Sequence, residues 1–122
     1  MEITTKELDG MELITISGRV DSVEAAKLAD ALETAHHHGR YKIIVDMSQV
    51  EYMSSAGFRA LGDAQRNSKR HQRGEVILVQ VPARVRDALE MVGFTEYFHL
   101  SESVSSALEF AANLPTGASS VE

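Results

Sequence analysis

Apolar positions along this chain change period several times, and each change marks an element. Residues 2 to 8 and 11 to 17 read as two strands around Asp9-Gly10. Glycine accepts the positive φ of a type I′ turn, so Asp9-Gly10 predicts a hairpin. In the second strand Leu13, Thr15 and Ser17 alternate with Glu12, Ile14 and Ile16, which is not a one-sided pattern. Both faces of that strand are therefore expected to be partly covered. Gly18 to Ser22 leads into a helix with an apolar stripe at Ala25, Leu28, Ala29, Leu32 and Ala35. Asp21 and Glu24 have capping-box spacing, with Ser22 as the competing cap. Gly39 is the expected stop.

Tyr41 to Val45 is a continuous apolar run and reads as a central strand buried on both faces. Ser55 to about Gln72 is the second helix, with Gly74 just beyond it. Val76 to Val79 is another buried strand. Pro82 fits the first turn of a third helix, with a stripe at Val85, Ala88, Leu89 and Val92 and a stop at Gly93. Phe94 to Leu100 is short and aromatic and reads as a last edge strand. Ser101 or Ser103 caps a final helix with Val104, Ala107, Leu108 and Ala111 inward. The fold class is α/β: one domain over residues 1–114, a mixed β-sheet with about four helices packed on it. The element order is β-β-α-β-α-β-α-β-α. The two buried strands joined through a helix are expected to be parallel, with a right-handed crossover. Residues 115–122 are small and polar and are expected to form a disordered tail.

Composition narrows the function. The 122 residues suit one compact domain, and 43% hydrophobic content suffices for one core. No apolar stretch approaches the roughly 20 residues of a membrane span. Met1-Glu2-Ile3-Thr4 lacks the pattern of a secretory signal, and cysteine is absent, so a cytoplasmic location is expected. The net charge of -6 argues against general nucleic-acid binding. Charge is uneven, however. Arg59, Arg66, Lys69, Arg70, Arg73, Arg84 and Arg86 stand against only Asp63 and Glu75, so residues 59–86 carry +5 and the remainder -11. Several of these bases end the second helix, where cations are favoured. The segment reads as a solvated helix end or as a docking patch for an acidic surface.

Catalytic motifs are missing. There is no G-x-S-x-G elbow, no Walker A loop and no G-x-G-x-x-G loop. His36-His37-His38 does not converge on a metal, because consecutive helical residues point about 100° apart. It reads as a polar helix end. His71 and His99 have no evident partners. Asp46 and Asp21 could meet near strand ends, but two acids alone do not define catalysis. Neither an enzyme, a metal nor a cofactor is expected.

The informative stretch is Asp46 to Gly57, D-M-S-Q-V-E-Y-M-S-S-A-G. It places Ser54 and Ser55 at a strand-loop-helix junction, where unpaired N–H groups and the positive end of a helix dipole collect. A hydroxyl there can cap the helix or carry a phosphate. With Phe58 and Leu61 following, the segment resembles the motif D-L-S-G-V-x-x-h-D-S-S/T-G-L-x-x-L (h apolar) of the anti-sigma factor antagonists, bacterial proteins of the STAS fold. Gly18 to Ser22 is similar to that family's G-x-h-D segment. Val92-Gly93-Phe94, Tyr97-Phe98 and Ala107-Leu108 are similar to its C-terminal signature. The resemblance spans about residues 2 to 112, in the same element order.

The resemblance implies a phosphorylation-switched binding protein. Ser55 falls on the family's regulatory phosphoserine, with Ser54 as runner-up. The implied partners are an anti-sigma factor that is also a serine kinase, and a serine phosphatase. The unphosphorylated form would bind the kinase and free its sigma factor. The implied partner-binding residues are Asp21, Ser22, Ser54, Ser55, Ala56, Gly57 and Arg59. Ala56 and Gly57 are expected to let a kinase backbone approach the hydroxyl, although Gly57 could instead relieve internal crowding. A monomer without membrane or nucleic-acid contact is expected. Among the departures from the motif, Ser54 replaces Asp, Gln49 replaces Gly and Phe58 replaces Leu. The alternatives are a STAS scaffold of a stress-signalling assembly and a STAS accessory subunit of a lipid transporter.

Overall fold

Asp9 and Gly10 both take positive φ, 53° and 80°, and join strand β1 (Glu2–Leu8) to strand β2 (Met11–Val20) as an antiparallel hairpin. The computed structural model describes residues 1–71 and 74–114. Helix α1 (Ala25–His37), strand β3 (Lys42–Met53), helix α2 (Ser55–Arg70) and strand β4 (Glu75–Val79) follow. Helix α3 (Ala83–Met91), strand β5 (His99–Ser101) and helix α4 (Val104–Ala112) complete the order. The sheet runs β1-β2-β3-β4-β5, with β2, β3, β4 and β5 mutually parallel. The mixed sheet, the four helices and the parallel pairing of β3 with β4 agree with the expectation.

The sheet has two covered faces. Ile14, Ile16, Ile43, Val45, Val76 and Leu78 pack with residues of α1, α2 and α3, including Leu28, Leu32, Leu61 and Leu89. Ile44, Ile77, Val79 and Met11 pack beneath Ala107 and Ala111 of α4. Alternation therefore places successive β3 residues in different layers, which is why the strand reads as a continuous apolar run. Each fully buried leucine contributes roughly 1.5–3 kcal/mol of transfer free energy.

Strand β3 is longer than expected. It continues beyond Val45 to Met53, so most of Asp46 to Gly57 is strand rather than loop. The expected end was where the continuous apolar run stops, at Val45. Beyond it, two irregularities break the period of the strand. Between the pairs Thr15↔Asp46 and Ser17↔Gln49, and again between Gly18↔Val50 and Arg19↔Tyr52, β3 carries one residue more than β2. Each insertion advances the inward side chain by one position. Met47, Val50 and Met53 are consequently all buried at a spacing of three. Strand β2 continues alongside to Val20, so Gly18 to Val20 is strand, not a lead into α1.

Other differences are local. Ala29 is exposed, and Val92 lies beyond the end of α3 at 46% exposure, so neither extends its helix stripe inward. Pro82 precedes α3 rather than standing within it. Only His99–Ser101 of the aromatic segment forms a strand, while Phe98 is buried and Phe94 packs against the core. Ser103, not Ser101, caps α4 in a reciprocal box with Ser106. His99 stacks on Phe110 at 3.7 Å, and His71 tilts against Tyr41 at 5.8 Å, so both have partners. Helix α2 ends at Arg70; Gln72, Arg73 and the expected tail at 115–122 lie outside the described residues. No described helix is long and apolar enough to cross a membrane.

Candidate functional site

The entrance to α2 is fixed by the strand before it. The Ser54 N–H donates to the Val20 carbonyl at 2.8 Å, tying the ends of β2 and β3 together. Ser54 is extended, with φ -76° and ψ 167°, and its Oγ accepts from the Gly57 N–H at 3.3 Å. Its carbonyl accepts from the Phe58 N–H. Ser54 is thus the helix cap, 7% exposed, and its hydroxyl oxygen is already engaged. An aspartate would fill the same cap, so the departure at this position keeps its structural role. Ser55 is the first helical residue and is exposed. The two adjacent hydroxyls occupy different environments: one inside the chain's hydrogen bonds, one in solvent.

Gly57 is buried, and its place in the site is corrected. A Cβ there would meet Met53 Cγ at 2.6 Å and Val20 Cγ1 at 3.3 Å. The missing side chain is filled from within, so it relieves core crowding rather than opening a path to the hydroxyl. Ala56 is half-buried beside it.

Asp21 caps the turn that enters α1. Its Oδ1 accepts from the Glu24 N–H at 2.9 Å and its carbonyl accepts from the Ala25 N–H at 2.9 Å. Only this half of the expected box forms, and Ser22 is exposed beside it. Because Val20 bonds Ser54, Asp21 and Ser22 do adjoin the α2 entrance. Asp21 and Asp46 do not meet. Asp46 pairs with Thr15 and Val79, and the register runs seven residues further to Met53 opposite Val20. That separates the acids by roughly 20 Å. The Asp46 carboxylate instead accepts from the Ser48 N–H at 3.0 Å.

On the other side of Ser55, a groove of about 190 Å³ opens between α2 and the end of α3. Phe58, Val92 and Phe94 supply apolar walls, and Arg59 and Arg66 supply charge. Arg66 is held by Asp63 at 3.2 Å. Four large apolar side chains face solvent, one of them in the groove. Val92 lines the groove and Met91, 88% exposed, is next to it. Val23, 77% exposed, follows Ser22, and Tyr52 lies under the Arg19 guanidinium at 4.5 Å. The sequence reading missed all four. Val23 and Met91 were legible as apolar residues off their helix stripes, whereas Tyr52 needed the β3 irregularities to be placed.

A second polar cluster lies at the far end of α2. His36 is buried, not part of a polar helix end as expected. Its Nε2 is 2.8 Å from Ser68 Oγ, its Nδ1 is 2.8 Å from Asn67 Nδ2, and its ring stacks on Tyr41 at 4.9 Å. Burial, with His71 nearby, lowers its pKa from the ordinary value, and Glu33 opposes this. Gln65, fully buried, donates to the Tyr97 carbonyl and Glu75 and accepts from the Val76 N–H. These groups satisfy one another. Among the described residues no group of three or more His, Asp or Glu could hold a metal ion. What the α2 entrance offers is a solvent-facing hydroxyl beside helix N–H groups that lack intrahelical acceptors, the setting in which an attached phosphate is tolerated.

Comparisons with known proteins converge. The family described as STAS domain matches residues 2–107. BtrV of Bordetella bronchiseptica, described as a candidate anti-sigma factor antagonist, is 29% identical over 116 residues, covering 94% of this chain and 99% of that protein. The crystal structure of a candidate anti-sigma factor antagonist from Thermotoga maritima superimposes with a TM-score of 0.84 at 16% identity, covering 91% of this chain and 95% of that one. The Bacillus cell fate determinant SpoIIAA, solved in a phosphorylated form, superimposes with a TM-score of 0.72 at 16% identity, covering 89% and 98%.

Proposed function

This chain belongs to the STAS domain family, and we propose that it is an anti-sigma factor antagonist switched by phosphorylation of Ser55. The observation that carries the reading is the contrast between the two hydroxyls at the α2 entrance. Ser54 is buried and spent as the cap, and Ser55 is exposed at the first helical position. The unphosphorylated form binds an anti-sigma factor with serine kinase activity and so releases a sigma factor. A serine phosphatase resets the modified form. The likeness to a phosphorylated SpoIIAA supports the class of switch.

Physical reasons favour this arrangement. A phosphate adds about -1.5 to -2 charges and three acceptor oxygens to Ser55. The helix N-terminus holds that charge without unfolding the domain. A partner packed over Ser55, Asp21, Ser22 and the surrounding apolar residues would have to desolvate the dianion. A loss of roughly 3 kcal/mol weakens binding about a hundredfold. The chain itself performs no chemistry in this scheme. It is a substrate and a binding surface, acting in the cytoplasm.

The test is binding to the cognate kinase measured with Ser55→Ala and Ser55→Asp. Ser55→Ala is expected to bind as the native chain does and to resist switching. Ser55→Asp is expected to lose affinity by an order of magnitude or more. Equal binding by both variants would contradict the reading.

A further inference from the structure

Resting on the Ser55 reading, we propose that Arg59 is the internal receiver of the Ser55 phosphate, so that modification takes up a cation of the groove between α2 and the end of α3. Ser55 and Arg59 are four residues apart on α2 and line the same groove. Side chains at that spacing lie on one helix face, about 5–6 Å apart at Cβ. Both residues are exposed, so the guanidinium reaches the phosphate without moving the core. Among the described residues no carboxylate lies within ion-pair distance of Arg59, whereas Asp63, its neighbour one turn on, is engaged by Arg66 at 3.2 Å.

The charge pattern of α2 points the same way. Its first turn contains no acidic residue. Arg59 follows at the start of the second turn, so no anion precedes it on the helix until a phosphate arrives. A phosphate on Ser55 supplies that anion, and guanidinium is suited to phosphate because its planar fork donates two parallel hydrogen bonds. Phe58, Val92 and Phe94 line the groove beneath this pair. The modification therefore does two things at once: it adds charge at the contact, and it withdraws Arg59 from the partner's reach. Arg66 lies eleven residues from Ser55, roughly 16 Å along the helix axis, too far to serve.

The experiment uses full-length protein with phosphoserine incorporated at position 55 during translation, so no kinase is required. Phosphorus NMR then follows the second ionisation of the phosphate, ordinarily near pH ~6. A neighbouring guanidinium favours the dianion and lowers this value. Arg59→Gln is expected to raise it by about half a unit, Arg59→Lys by less, and Arg66→Gln not at all. Arg59 is exposed, so its substitution keeps the fold. An unchanged value in Arg59→Gln overturns the inference, and so does an equal rise in Arg66→Gln, which would mark a general field. Failure of the kinase to bind the unmodified chain would instead overturn the partner-switch reading and leave this result standing.

Discussion

The two ends of helix α2 carry similar side chains used in opposite ways. At its C-terminal end Gln65, Asn67 and Ser68 meet His36, Glu75, Val76 and Tyr97, and the contacts close on one another. At its N-terminal end Ser54 is spent on the cap, while Ser55 and Arg59 face solvent in a groove shared with the exposed Val92. Buried polar groups are costly unless paired, so the first cluster is a structural joint between α1, α2 and β4. Exposed polar groups among uncovered apolar side chains are the mark of a contact surface. Polarity alone does not distinguish the two ends; what distinguishes them is whether hydrogen-bonding capacity is used inside the chain.

That comparison predicts different penalties at the two ends. Replacing Gln65 should be most severe. Gln65→Leu leaves the Val76 N–H and the Tyr97 carbonyl without their partner and should cost about 3 kcal/mol in urea unfolding. Modification of Ser55 in the folded protein should continue. A cost below about 0.5 kcal/mol, the usual range at the surface, would remove the structural joint from the account. At the other end, Ser54→Ala should cost about 1 kcal/mol through loss of the cap. Ser55→Ala should change stability by less than about 0.5 kcal/mol. If Ser55→Ala proved the more destabilising of the pair, the division between cap and free hydroxyl would be wrong.

The smallest expected effect is the pH dependence of the joint. Burial holds the folded-state pKa of His36 below the value of 6.5 that applies to the unfolded chain. Between the two values the unfolded state binds more protons. Stability from neutral His36 is therefore fully present above 6.5, falls as pH drops through it and levels below the depressed folded value. Urea midpoints measured across this window should slope more steeply for the native protein than for His36→Gln. Identical slopes would show that the buried imidazole pays no such penalty.

Much of the architecture was legible in the chain. The Asp9-Gly10 turn, the helix stripes and the apolar runs at residues 43–45 and 76–79 prescribe element order, because period and turn chemistry are local properties. Strand β3 beyond Val45 was not legible. Its two extra residues replace a spacing of two by a spacing of three, and only the partner strand reveals that. His36 read as part of a polar helix end for a related reason: its hydrogen-bond partners lie 31 and 32 residues away, and Gln65 likewise finds its partners 10 to 32 residues on. At the α2 entrance the sequence placed both hydroxyls, and only the family resemblance favoured Ser55 over Ser54 as acceptor. The physical reason lies in the backbone of Ser54, whose extended geometry turns its Oγ toward the Gly57 N–H.

The central claim is that Ser55 is the hydroxyl left available for modification. Its most direct test is to incubate the native protein, Ser54→Ala and Ser55→Ala with the cognate kinase and ATP, then map phosphate by mass spectrometry. A single phosphate is expected on Ser55 in the first two proteins and none in Ser55→Ala. Phosphate on Ser54, or on neither serine, would contradict the claim.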